Sequence, residues 1–109
     1  MSHYLFAYGT LNEADVQQYV FQRVLNGTPD TLSGYLIAAK KMYGRYLVLE
    51  ASGDPSDEIN GVAYVLSLGE LLKADIYEGP EYTRIQVLLK SGTTAWVYVE
   101  KNGPMQVEQ

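Results

Sequence analysis

The stretch SLGELLKADIYEGPEYTRIQVLLKSGTTAWVYVE, residues 67–100, changes its hydrophobic period once, and that change decides the fold class. Ser67 and Glu70 make the S-x-x-E of a capping box, and Leu68, Leu71, Leu72 and Ile76 recur at helical spacing until Gly79-Pro80 stops them. Beyond Pro80 the period drops to two. Residues 82–89 and 93–100 alternate across Ser91-Gly92, the pattern of a β-hairpin. Upstream, residues 4–8 (YLFAY) read as a strand ended by Gly9. Val16, Tyr19, Val20 and Val24 then predict a helix with Asn12 as N-cap, Glu13 and Asp15 in its first turn, and Asn26-Gly27 as its stop. Three β-type segments follow at 31–38, 46–50 and 61–66, the last two separated by a polar loop at 51–60 that turns at Asp54-Pro55. Single helices between strands of a mostly antiparallel set predict an α+β fold, a small curved or closed sheet with helices against it.

Composition bounds what this fold can do. The chain has 109 residues, net charge −5, one His and no Cys, which predicts one domain over residues 1–109 with its core at about 4–100 and a frayed tail at 101–109. Lys40-Lys41 is the one adjacent basic pair, so the basic stripe that nucleic acid requires is missing. No apolar run approaches the ~20 residues of a membrane span, and the first residues lack the pattern of a secretory signal. The expected compartment is the cytoplasm, with neither membrane nor nucleic acid as partner. Without Cys there is no thiolate nucleophile, and the single His3 lies at a terminus, far from a Ser- or Thr-activating position. Asp54, Asp57 and Glu58 lack the spacing of a calcium loop and read as a solvated turn; no metal and no cofactor is expected.

What remains is chemistry run by a carboxylate and backbone amides. Asp75 and Glu78 fall on the inward side of the second helix. Glu78 ends that helix, at the negative end of its dipole, with a second carboxylate nearby and Tyr77 and Tyr82 as cover, three influences that raise a carboxyl pKa toward the value a general base needs at neutrality. The plainer reading makes Asp75 a loop-bonding residue and Glu78 an exposed helix end. Tyr8-Gly9-Thr10-Leu11 leaves the first strand at the mouth of the first helix, where backbone amides suit an anion; the alternative is an ordinary strand-to-helix turn. Arg84 and Tyr82 share a strand face, either the solvent face or a face that pairs Arg84 with Asp75 or Glu78. Trp96 reads as core.

In order along the chain, Phe6-Ala7-Tyr8-Gly9-Thr10-Leu11, Gly61-Val62-Ala63-Tyr64-Val65, Asp75-Ile76-Tyr77-Glu78-Gly79 with Tyr82-Thr83-Arg84, and Ala95-Trp96-Val97-Tyr98-Val99 resemble the motifs of the γ-glutamylcyclotransferase-like family, its AIG2-like and γ-glutamylamine cyclotransferase branches included. The resemblance implies a small β-barrel flanked by helices and a cofactor-free reaction. In it the α-amine of a small γ-glutamyl substrate attacks its own γ-carbonyl, giving 5-oxoproline and a free amine or amino acid. It also implies Glu78 as general acid and base, the amides of Gly9, Thr10 and Leu11 as holders of the α-carboxylate or a developing charge, Tyr8 and Tyr82 as pocket walls, and Arg84 as a helper. A non-catalytic small-molecule binding domain on the same scaffold is the alternative, and removal of a γ-glutamyl group from a larger metabolite is a third reading. The chain departs from the family at Asn12-Glu13-Ala14, where relatives carry a basic, Gly-containing stretch, at Ala74 in place of Leu, and in a short region at 43–46. Glu13 there suggests a cationic leaving portion.

Overall fold

A computed structural model describes residues 3–42 and 46–101; the expected tail beyond Lys101 and the short region at 43–45 lie outside them. The strands are β1 (His3–Ala7), β2 (Gly27–Ser33), β3 (Tyr35–Met42), β4 (Tyr46–Ala51), β5 (Glu58–Leu66), β6 (Tyr82–Leu88) and β7 (Thr94–Glu100), and the helices α1 (Ala14–Phe21) and α2 (Leu68–Glu78). Five strands form one sheet in the order β2-β5-β1-β7-β6, and β3 and β4 form a separate two-stranded ribbon. All pairs are antiparallel except β1 with β7, which join in parallel with Leu5 opposite Trp96. The α+β class is as the sequence implies, but the sheet is not closed into the expected barrel. Its two edges approach where the N–H of Lys90 donates to the carbonyl of Thr31 at 2.8 Å, beyond the end of the β6 ladder.

Strand alternation sorts the core into two layers. On one face Leu5, Ala7, Tyr64, Leu66 and Tyr98 meet Val20 and Phe21 of α1 and Leu71 and Ala74 of α2. On the other, Phe6, Ala63, Val97 and Val99 meet Leu49 of the ribbon. Each central strand is thus buried on both sides, which is why YLFAY and AWVYV read as nearly continuous apolar runs.

Four local expectations are corrected. The segment at 31–38 is two strands, broken at Gly34, whose φ of +85° turns the chain out of β2 and into β3. Asn12 does not cap a helix: a single 3-10 turn (Thr10–Asn12) intervenes, and Glu13 is the N-cap of α1. That helix stops at Gln22, in a left-handed conformation, well before Asn26-Gly27, and Tyr19 and Val24 are exposed. In α2 the capping box forms as read, with Ser67 Oγ accepting from the Glu70 N–H and Glu70 Oε1 from the Ser67 N–H. Yet its inward face is Leu71 and Ala74, while Leu68, Leu72 and Ile76 face outward.

Candidate active site

Glu78 lies one helical turn beyond Ala74 and two beyond Leu71, so it continues the buried face of α2 to the helix end. There burial pushes its carboxyl group up to about 7 from an ordinary 4.5. Of the three influences expected at this position, burial carries the shift. The site walls come from three other elements. Tyr8 follows β1 and donates its hydroxyl proton to the Tyr98 carbonyl at 2.8 Å. Burial, then the charge of Glu78, then Tyr82, hold that hydroxyl far above the usual phenol range, so Tyr8 stays a neutral donor. Tyr82 is buried at the start of β6. Burial also raises Tyr98 on β7, with Asp75 and Glu78 adding to it.

The Gly9–Leu11 segment reaches the same corner. Thr10 Oγ1 and Tyr77 Oη lie 2.9 Å apart and share a hydrogen bond, fastening the 3-10 turn to the last turn of α2. The segment opens that turn rather than α1, and the first donors inside the turn are Asn12 N–H to Gly9 and Glu13 N–H to Thr10. Tyr8 thus faces Glu78 and Tyr82, and Thr10 is tied to the last turn of α2 through Tyr77.

Arg84 takes the pairing role rather than the solvent role. Its Nε donates to Asp75 Oδ1 at 2.7 Å and its Nη2 to Asp75 Oδ2 at 3.1 Å, a two-pronged bond. Its guanidinium lies 4.5 Å from the centroid of Trp96, which is half-buried rather than core. Tyr98 donates to Asp75 Oδ1 at 2.7 Å. Burial alone would raise Asp75, but the Arg84 and Tyr98 bonds outweigh it and hold the carboxyl below the usual range. Two carboxylates three residues apart are thus pushed in opposite directions. A groove of about 360 Å³ beside this network is lined by Asp75, Tyr82, Thr83, Arg84, Trp96 and Tyr98; Glu78 lies outside its lining. Tyr98 is the participant that reading the sequence missed, although its alternation with Val97 and Val99 places it on the face that Arg84 shares.

Asp54 accepts from the Ser56 N–H and hydroxyl within the acidic loop, and Glu58, which opens β5, pairs with the distant Lys90. Among the described residues no three His, Asp or Glu gather to hold a metal ion, and no helix is long and apolar enough to cross a membrane.

The profile of the family described as gamma-glutamyl cyclotransferase, AIG2-like, matches residues 5–109. The chain belongs to this family. Among solved structures it is similar to At3g28950.1 of Arabidopsis thaliana, 27% identical with a TM-score of 0.80, over 95% of this chain and 66% of that one. At5g39720.1 of the same plant is 24% identical with a TM-score of 0.76, over 99% and 76% of the two chains. A structure named gamma-glutamyl cyclotransferase is 19% identical with a TM-score of 0.74, over 94% and 68%, a likeness of fold. The chain thus spans about two thirds of the length of At3g28950.1 and of this last structure. No curated protein matches its sequence.

Proposed function

We propose that this AIG2-like chain is a γ-glutamylcyclotransferase that acts on a small γ-glutamyl amine or amino acid, with Glu78 as general base and then general acid. The observation that carries the reading is the half-buried Glu78 carboxyl group, pushed up to about 7 by burial, at a helix end faced by Tyr8 and tied through Tyr77 to Thr10. A base with that pKa is half charged at neutrality, and its conjugate acid is strong enough to protonate an amine as it departs.

The reaction balances within the substrate and this one side chain. Glu78 takes a proton from the substrate's α-ammonium. The freed amine nitrogen bonds to the γ-carbonyl carbon, closing a five-membered ring, and the carbonyl oxygen gains negative charge. Glu78 passes that first proton to the leaving nitrogen and takes a second from the ring nitrogen, which the new bond has left cationic. As the carbonyl reforms, the bond from carbon to the leaving nitrogen breaks, and the second proton follows to the departed amine. The products are 5-oxoproline and a free amine. The attack is intramolecular, so a well-oriented substrate starts from an effective molarity of about 10⁵ M or more, and binding geometry supplies much of the acceleration. The amides of Gly9, Thr10 and Leu11 are assigned to the substrate's α-carboxylate, and Tyr8 and Tyr82 to the walls. Arg84 is committed to Asp75, so its part is to hold that carboxylate, with Tyr98, away from the reacting amine. Glu13, exposed beside the loop, suits a cationic leaving portion.

The test is mass spectrometry for 5-oxoproline after incubating wild type and Glu78→Gln with γ-glutamyl amines, γ-glutamyl amino acids and glutathione. Wild type is expected to release 5-oxoproline, fastest from a γ-glutamyl amine of the lysine type, and Glu78→Gln to lose at least a thousandfold in kcat while still folding. Tight binding without product would favour the non-catalytic reading, and an active Glu78→Gln would remove Glu78 from the mechanism.

A further inference from the structure

The Gly9–Leu11 segment is held by side chains that the reaction itself does not use. Asn12 spends both ends of its amide there. Its Nδ2 donates to the carbonyl of Ala7 at 2.9 Å, and its Oδ1 accepts from the Tyr64 hydroxyl at 2.8 Å. The residue after the segment is thereby tied back to the residue two before it, across the bend, and to the neighbouring strand. Gln17 does the same from below. It is 2% exposed, the one buried polar residue beside an otherwise apolar cluster of the described residues. Its Nε2 donates to the carbonyl of Leu11 at 2.8 Å, and its Oε1 accepts from the Leu25 N–H at 2.9 Å. A buried amide with both ends satisfied is costly to move, because any shift leaves a donor or acceptor unpaired away from water. Leu11, itself buried, is pinned by its side chain and by its carbonyl.

We propose that Asn12 and Gln17 are positioning residues, which fix the backbone of Gly9, Thr10 and Leu11 before substrate arrives so that their N–H groups converge on the substrate's α-carboxylate without reorganisation. This deepens the function proposed above and rests on it. Binding of a ground-state charge that persists through the reaction is uniform binding, so its loss raises KM and leaves kcat. Within the Asn12-Glu13-Ala14 departure from the family pattern, Asn12 is a strap whose short amide bonds Ala7 and Tyr64 at once.

The experiment compares Asn12→Ala and Gln17→Met with wild type, and with Ser67→Ala as a control that weakens the fold at the α2 cap, away from the loop. Three quantities are read for each: melting temperature, kcat and KM for the best γ-glutamyl substrate, and hydrogen exchange of the amides from Gly9 to Glu13. Asn12→Ala and Gln17→Met are expected to raise KM about tenfold, keep kcat within about threefold, and speed exchange at Asn12 and Glu13 about tenfold or more. Ser67→Ala is expected to lower the melting temperature with KM and loop exchange unchanged. Gln17→Met opens two buried groups and can fail to fold; Asn12→Ala, at a partly exposed site, then decides alone. Unchanged KM and unchanged exchange in Asn12→Ala would overturn the proposal, as would equal changes in Ser67→Ala. A wild type that releases no 5-oxoproline sinks the proposed reaction instead, and the exchange rates still decide whether these residues hold the loop.

Discussion

A carboxyl group whose ionisation is resisted by burial weakens the fold whenever it is charged, and at Glu78 this gives activity and stability opposite demands. Between an ordinary 4.5 and about 7, the folded protein keeps a proton on Glu78 that the unfolded chain has released. Linkage then makes stability fall as pH rises across that window: the penalty is absent below about 4.5 and complete above about 7, where it reaches roughly 3 kcal/mol. Glu78→Gln keeps the volume and removes the charge. In urea unfolding it should be more stable than wild type at pH 8 by about 1–3 kcal/mol, and within about 0.5 kcal/mol of it at pH 4.5. A difference that does not change with pH would mean that Glu78 is not the group that titrates. The same carboxyl should give kcat/KM a rising limb centred near pH 7, absent in Glu78→Gln. Glu78 was legible in the sequence because Asp75 and Glu78 are the two carboxylates that the last turn of α2 itself carries. Their opposite behaviour was not, since the charge of Asp75 is set by Arg84 and Tyr98, which arrive from strands 9 and 23 residues away.

At the scale of elements, what is written locally was readable and what depends on a distant partner was not. The cap of α2 and the Ser91-Gly92 turn use residues within four positions of one another, and both form as the sequence indicates. The break at Gly34 depends instead on bonds to a far loop, its N–H to the Asp57 carbonyl and its carbonyl to the Ser52 N–H, so 31–38 reads as one strand. The inward face of α2 was misassigned for a related reason. Leu68, Leu72 and Ile76 make a more apolar stripe than Leu71, Ala74 and Glu78, but a helix seated on a tyrosine-lined corner needs a small residue at the contact. Ala74 is 0% exposed and Ile76 is 81% exposed. Thermal unfolding separates the two faces. Ala74→Leu should cost about 1–3 kcal/mol by overpacking, lowering the melting temperature by about 4–8 °C per kcal/mol, whereas Ile76→Lys should stay within about 0.5 kcal/mol of wild type. The reverse order would restore the stripe of leucines as the buried face.

At the scale of the whole molecule, the sheet is a wall between two layers, with β1 at its centre and the site at the end of that strand. Alternation in the chain dictates such a two-sided sheet but is the same for an open and a closed one, so closure was not legible: it depends on how two edges far apart in sequence meet. The fit of β1 to β5 is set by Gly61. A methyl group there would lie 2.5 Å from the carbonyl oxygen of Ala7 and 2.6 Å from the ring of Phe6. Neither neighbour can yield cheaply, since Phe6 is 1% exposed and the Ala7 carbonyl is the acceptor for Asn12. Gly61→Ala must therefore push β1 away from β5, disturbing both layers and the strap on the Gly9–Leu11 segment in one movement. We expect it to lose about 1–3 kcal/mol in a single cooperative transition and to raise KM in the direction of Asn12→Ala. Gly69→Ala supplies the contrast: in α2 the added methyl meets nothing nearer than Ser67 Oγ at 4.0 Å, and helix propensity should stabilise the protein by about 0.5 kcal/mol with kinetics unchanged. If Gly61→Ala lost stability but kept its KM, the strand and the loop would move independently, and the central sheet would support the core without setting the geometry of the site.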